Sequence, residues 1–193
     1  VGSEMCIRDR FLAPNSIVGC GIEMAPEAEW SGVKAKYELP DEYVLYLGRV
    51  SKAKVDKLLP YFLRCKAKYG GDAKLVLVGG FENEIRKFDS PDILFTGYVS
   101  DEEKTAIVRH ATVMVNPSPM ESLSLLMLEG MQSRIPLLVN GRSKVMKDHC
   151  RLSGAGLWYN NGRDFRKKLH RLLSDPELRR TMSEKGPAYV REH

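Results

Sequence analysis

ATVMVNPSPMESLSLLMLEGMQ, residues Ala111–Gln132, joins an apolar run rich in β-formers to an apolar helical run through a turn marked by prolines. The spacing predicts a strand over Thr112–Val115. Pro117 and Pro119 then keep the chain extended until a helix starts near Ser122 and runs to Ser133. Glu121 falls at the helix entrance, beside backbone N–H groups that lack intrahelical partners and at the positive end of the dipole. Glu129 follows two turns later, about 80° around the axis at roughly 100° per residue. Both carboxylates are thus expected on one side of the helix, at different depths. A plain reading makes Glu121 a helix cap and Glu129 part of a solvated stripe with Ser122, Gln132 and Ser133. Against it, Leu125, Leu126, Met127, Leu128 and Met131 crowd Glu129 and leave little polar surface.

Outward from this stretch the same strand-then-helix grammar repeats. Apolar runs at Tyr43–Leu47, Leu75–Val78, Ile93–Phe95 and Ile135–Val139 each end within a residue or two of glycine or a polar turn. Helical spacing fills the gaps at Lys54–Lys68, Glu82–Phe88 and Asp101–His110, the last with an acidic start. Alternating β and α units of this length imply an α/β fold, a Rossmann-like parallel sheet with helices on both faces. Such sheets bind ligands outside the carboxyl ends of their strands. Gly48, Gly79, Gly80, Gly97, Asn116 and Gly141 are expected along that edge, where a phosphate can approach backbone N–H groups.

Composition narrows the class. The chain has 193 residues, 43% of them hydrophobic and 28% charged, enough for one globular core. No apolar run approaches the roughly 20 residues of a membrane-spanning helix. Cys6, Cys20, Cys65 and Cys150 are scattered without a Cys-x-x-Cys pair, which points to reduced thiols in a cytoplasmic protein and away from structural zinc. His110, His149, His170 and His193 show no ligand spacing, so no metal site is expected. The net charge of +5 is concentrated from Arg142 onward. That stretch is mixed in sign and reads as helix, with Leu169, Leu172 and Leu173 inward. It lacks the aromatic interleaving of a nucleic-acid binder, so a solvated face is expected.

Seven blocks now carry a resemblance: GCGIE, YLGRVSKAKVDKLLPYF, KLVLVGG, ILFTGYVSDEEK, ATVMVNPSPMESLSLLMLEGM, IPLLVNGRSKV and LLSDPELRRTMSEKG. In this order they resemble the C-terminal half of family 4 glycosyltransferases, retaining enzymes of the GT-B fold in which two Rossmann-like domains face each other across a cleft. The resemblance implies a domain that binds a nucleoside diphosphate sugar and passes the sugar to a sugar, lipid-linked or polysaccharide acceptor without a metal or other cofactor. It implies that Glu129 takes the ribose hydroxyls, as an ionised carboxylate accepts two hydrogen bonds at once. Glu121 is implied to reach the donor sugar, and Arg49 and Lys54 to neutralise the diphosphate, where negative charge grows as the glycosidic bond breaks. The backbone around Ser122, Leu123, Ser124 and Leu125 would complete the anion site. Gly97, Tyr98 and Val99 resemble the base-binding segment.

The chain departs from the family pattern in places. Lys54 is followed by Val55 where glycine is usual, which makes Lys52 a rival for the phosphate lysine. Ser122 and Ser124 stand where the family has glycines, narrowing the approach to the backbone. Residues 1–10, VGSEMCIRDR, fit no part of the family and are expected to be a non-native leader. Residues 11–40 are expected to be the remnant of the interdomain connection, and 41–193 the nucleotide-sugar domain, cut in its closing helix. The acceptor-binding N-terminal GT-B domain is then the missing partner, and this fragment alone is expected to be inactive. Localisation is expected to be cytoplasmic, with peripheral contact at the inner membrane face. Two other readings stay open: a GT-B nucleotide-sugar hydrolase or epimerase, and a non-catalytic module binding anionic ligands.

Overall fold

The computed structural model describes residues 22–80 and 90–192. The helix expected over Glu82–Phe88 and the segment 1–21 lie outside the described residues. Among the described residues six strands form one parallel sheet: β1 (Tyr43–Leu47), β2 (Lys74–Val78), β3 (Ile93–Gly97), β4 (Val113–Asn116), β5 (Leu137–Asn140) and β6 (Gly156–Tyr159). Their spatial order is β3-β2-β1-β4-β5-β6. The helices are α1 (Trp30–Lys36), α2 (Lys52–Val55), α3 (Leu58–Tyr69), α4 (Asp101–Arg109), α5 (Leu125–Gln132), α6 (Lys144–Ser153), α7 (Gly162–Ser174) and α8 (Pro176–Glu192).

Both faces of the sheet are covered, as the near-continuous apolar strands require. In β1, Tyr43, Leu45 and Leu47 enter one core with residues of α1, α4, α5 and α6. Val44 and Tyr46 point the other way, into a core shared with α3 and α7. Each fully buried leucine or valine contributes about 1.5–3 kcal/mol. Tyr43 is wholly buried and donates its hydroxyl to the carbonyl of Ile107 at 2.6 Å, so its polar end is satisfied inside the first core. The described part of the expected connecting segment, Ile22–Pro40, is folded onto this body. Trp30 stacks on His110 at 4.0 Å, and Glu27 bonds both Arg109 and His110.

Three expectations need correction. The single helix over Lys54–Lys68 is two, α2 and α3, with a turn at Asp56 and Lys57. Pro60 lacks the N–H that would bond back to Asp56, and it is accommodated instead in the first turn of α3. The fifth strand starts at Leu137, two residues late, because Ile135 donates back to Gly130 and Pro136 has no donor for the ladder. The third correction concerns the helix after β4. It begins at Leu125, with Ser124 as its N-cap, so Glu121 lies outside it in the preceding loop. The sixth strand was not expected: GLWY is short, opens on Gly156 and runs into Asn160 and Asn161, and it pairs with β5 over its whole length.

Candidate functional site

The sheet changes direction between β1 and β4. From β1 the chain winds outward through β2 and β3, then returns to add β4 on the other side. The carboxyl ends of β1 and β4 therefore diverge and leave a crevice, the usual ligand position in an open parallel sheet. A cavity of 290 Å³ occupies it. Its wall includes Arg49 and Lys54 after β1, and Glu121, Leu123, Ser124 and Leu125 after β4.

Backbone geometry shapes the β1 side. Gly48 and Gly79 have φ of 127° and 131°, a region closed to ordinary side chains. A Cβ on Gly79 would lie 2.3 Å from the carbonyl oxygen of Gly48, so the turns after β1 and β2 pack back to back. Val50 donates to Gly80 at 2.9 Å and locks the two together. Tyr46 rises from β1 beneath Arg49 and donates its hydroxyl to the Arg49 carbonyl at 2.9 Å. Burial, with the charge of Glu121 adding to it, pushes this phenol up to about 12, so it keeps its proton and its role as donor.

Asparagines fix the β4 side. Asn116 ends β4; its Oδ1 accepts from Ser118 N and its Nδ2 donates to Ser124 Oγ, both at 3.0 Å. From β5, Asn140 Nδ2 donates to the Pro117 carbonyl at 2.9 Å. The Ser124 hydroxyl is thereby taken up, and it makes no capping bond to α5. Leu125 and Leu126, the first residues of α5, line the cavity, and the N-cap gives them no side-chain hydrogen bond. Over them Lys54 Nζ and Glu121 Oε1 stand 3.7 Å apart, with side chains 48% and 25% exposed. A pair so open to water contributes under about 1 kcal/mol, so a ligand separates it at small cost.

Glu129 lies elsewhere on α5 and is not part of that cavity wall. Its side chain is 12% exposed and faces Lys104 of α4, with Oε1 3.4 Å from Nζ. The other oxygen, Oε2, is buried and has no hydrogen-bond partner among the described residues. Buried carboxylate oxygens are ordinarily satisfied, so this one marks a place where a donor is wanted. Gly130, next along, lets α5 lie close to the sheet: a Cβ there would meet Met114 Sδ at 2.7 Å. The segment Gly97–Val99 is also outside the cavity, at the end of β3 and just before α4. Gly97 has φ of 74°, and the Tyr98 ring is 86% exposed with its edge resting on Gly80. Ser122 is exposed and lines a shallower hollow with Met120 and Arg142. Lys52 lines a larger neighbouring cavity, and Lys54 lines both.

Sequence reasoning did not reach Lys104, Tyr46 or the Ser124 anchor. Lys104 meets Glu129 across 25 positions, which no local pattern signals. The only hint for Asn116 was its place at a strand end. Among the described residues no group of three acidic, histidine or cysteine side chains is placed to hold a metal ion. No helix of the described residues is long and apolar enough to cross a membrane.

A Rossmann-like body with its crevice at the β1/β4 switch is what half of a GT-B glycosyltransferase looks like, and residues 32–189 match the family described as glycosyl transferases group 1. The chain belongs to that family. It is 30% identical over 172 residues to the alpha-D-kanosaminyltransferase of Streptomyces kanamyceticus, a match spanning 82% of this chain and 43% of that enzyme. Among solved structures it resembles the C-terminal domain of the group 1 glycosyl transferase LpcC from Francisella tularensis, with a TM-score of 0.70 and 19% identity over 86% of this chain and 93% of the other. It also resembles Anabaena HepE, solved in complex with UDP and glucose, with a TM-score of 0.67 and 13% identity over 84% of this chain and 47% of that one. At these identities the two structures establish the shared fold.

Proposed function

We propose that this chain is the donor-binding half of a retaining, family 4 glycosyltransferase that moves a sugar from a nucleoside diphosphate to an acceptor hydroxyl. The observation that carries the reading is that Arg49, Lys54 and Glu121 line one cavity together, at a start of α5 that lacks a side-chain cap. Two cations beside a helix start that lacks a side-chain cap suit a diphosphate. Glu121 suits the hydroxyls of the sugar attached to it. The unsatisfied Oε2 of Glu129 suits a ribose hydroxyl, and the exposed Tyr98 ring in the Gly97–Val99 segment suits a base.

In the reaction the bond between the anomeric carbon and the diphosphate oxygen breaks, the acceptor oxygen bonds to that carbon, and the hydroxyl proton passes to the departing phosphate oxygen. Negative charge builds on the leaving diphosphate. Arg49, held by Tyr46 through its backbone, and Lys54 meet that charge in place, so little reorganisation accompanies bond breaking. These cations supply what a divalent ion would otherwise supply, which is why we read the transfer as metal-independent. Acceptor recognition and closure against water belong to the facing GT-B domain, consistent with a chain that spans less than half of the kanosaminyltransferase it matches.

Calorimetry with UDP, GDP and ADP tests the diphosphate site. For whichever nucleotide binds, Arg49→Ala and Lys54→Ala should each weaken binding about tenfold or more, the scale of a lost hydrogen bond to a charged group. Both side chains are exposed, so the fold should be unaffected. Full affinity in both variants would remove the assignment.

A further inference from the structure

A second, larger cavity lies on the far side of the Pro117–Pro119 loop and is not used by the donor reading. Its volume is 700 Å³, within the roughly 300–1,000 Å³ of small-ligand sites. It sits between α2 and the carboxyl ends of β5 and β6, and shares Lys54 and Pro117 with the smaller cavity.

Its chemistry is specific. Lys52, Lys54, Lys57 and Arg142 line it against one carboxylate, Asp56. Lys57 and Arg142 are exposed and make no ion pair among the described residues. Of the polar groups, Asn161 is committed to capping α7 through Arg163 and Asp164, and Asn140 to holding Pro117 and Arg142 N. The side chain of Asn160 and the hydroxyl of Tyr159 are left. Tyr159 is 4% exposed, yet among the described residues its hydroxyl has no hydrogen-bond partner. The residue lines the cavity, so its hydroxyl is free to bond a ligand there. Tyr61 adds an aromatic wall, and its ring is pinned: a Cβ on Gly162 would come within 2.6 Å of it.

Cations on one side, a ring face on another, and two uncommitted hydrogen-bonding groups between them match a small phosphorylated polyol. We propose that this cavity binds a phosphorylated sugar, its phosphate against Lys57, Arg142 and Lys52, its ring over Tyr61, and its hydroxyls toward Asn160 and Tyr159. The binding stands independently of the transferase reading. Only the further step rests on that reading: with Lys54 in the common wall, the ligand sits beside the donor as an acceptor or as a regulator of donor affinity.

The test uses the whole chain and glucose 6-phosphate, with glucose and inorganic phosphate as controls, by calorimetry and by two-dimensional NMR. Glucose 6-phosphate should bind more tightly than either control and shift the resonances of Tyr61 and Asn160. The double variant Lys57→Ala/Arg142→Ala should weaken it about tenfold or more, and Tyr159→Phe should weaken it while leaving the urea midpoint in place. UDP affinity should change less than about twofold in these variants, because none of the three residues lines the smaller cavity. Three results would each overturn the proposal: no binding, binding unchanged in the double variant, or inorganic phosphate binding as tightly as the sugar phosphate. Loss of glucose 6-phosphate binding with intact UDP binding would strike this cavity alone, whereas absent UDP binding would strike the donor assignment alone.

Discussion

Glu129→Gln separates a structural carboxylate from a ligand-binding one, because the two roles predict opposite outcomes in free and bound protein. In the free protein the carboxylate is 12% exposed, holds Lys104 at 3.4 Å through Oε1, and leaves Oε2 buried and unpaired among the described residues. Removing the charge gives up one partly buried ion pair. It also replaces a desolvated, unsatisfied charged oxygen by a neutral amide group, which costs about 1–3 kcal/mol to leave unpaired where a charged group costs more. Lys104 keeps Asp101 at 3.3 Å. The terms nearly cancel, so the stability of the free protein should change by less than about 1 kcal/mol in urea unfolding. Nucleotide binding has no such compensation. If both oxygens accept ribose hydroxyls, the neutral amide loses a charge-assisted bond and presents a donor where an acceptor is wanted. The loss is about 1.5–3 kcal/mol, or roughly 10- to 150-fold in Kd at 1.4 kcal/mol per tenfold change. Calorimetry with the best of UDP, GDP and ADP, run beside the urea series, reads both numbers. Unchanged nucleotide affinity together with a fall of several kcal/mol in stability would refute the argument and make Glu129 a brace between α4 and α5.

Other outcomes follow from the framework around the site. Glu103, the third residue of α4, is held at about 2, first by Lys36 at 2.6 Å and then by its bond from Ser100 N. A carboxyl depressed in the fold stabilises it above the unfolded value and loses that contribution as pH falls, so urea midpoints should drop more steeply between pH 4.5 and about 2 in the wild type than in Glu103→Gln; parallel curves would contradict this. Gly79→Ala and Gly71→Ala both force a side chain into positive φ, which costs about 1–3 kcal/mol, but only the Gly79 Cβ strikes backbone, at 2.3 Å. Gly79→Ala should therefore lose distinctly more stability in urea unfolding, and equal losses would mean that the β1 and β2 turns are not packed as described. Asn116→Ala should free the Ser124 hydroxyl to cap α5 and weaken diphosphate binding measurably by calorimetry while changing the Tm little; unaltered affinity would show that the anchor is unrelated to the site.

The sheet was legible in the sequence because its strands are buried on both faces and so appear as unbroken apolar runs, with glycine or a polar turn where each emerges at the ligand edge. The first strand reads as Tyr43–Leu47 in both sequence and structure. Boundaries set by donors that prolines lack, at Pro60 and Pro136, follow from hydrogen bonds to residues elsewhere and were misplaced. The start of α5 was misplaced for a related reason: a side-chain bond from Asn116 to Ser124 holds the loop out of the helix, and helix propensity carries no trace of it. Arg49 and Lys54 could be nominated only through the family resemblance, and Glu121 also from its place between a strand and a helix; the three line one cavity. The neighbours of Glu129 could not. An ion pair between α4 and α5 depends on how two helices pack, and the sequence of neither contains it.

The Asn116 to Ser124 bond also has a thermodynamic consequence. A serine at a helix start is ordinarily worth about 1 kcal/mol as a cap, and here that serine is diverted to a strand end, so the first turn of α5 is left incomplete in the free protein. An anion that docks there completes the turn as well as filling a hole. On the proposed function, a nucleotide diphosphate that docks there would couple its own binding to the stability of this helix start and raise the unfolding midpoint as it saturates.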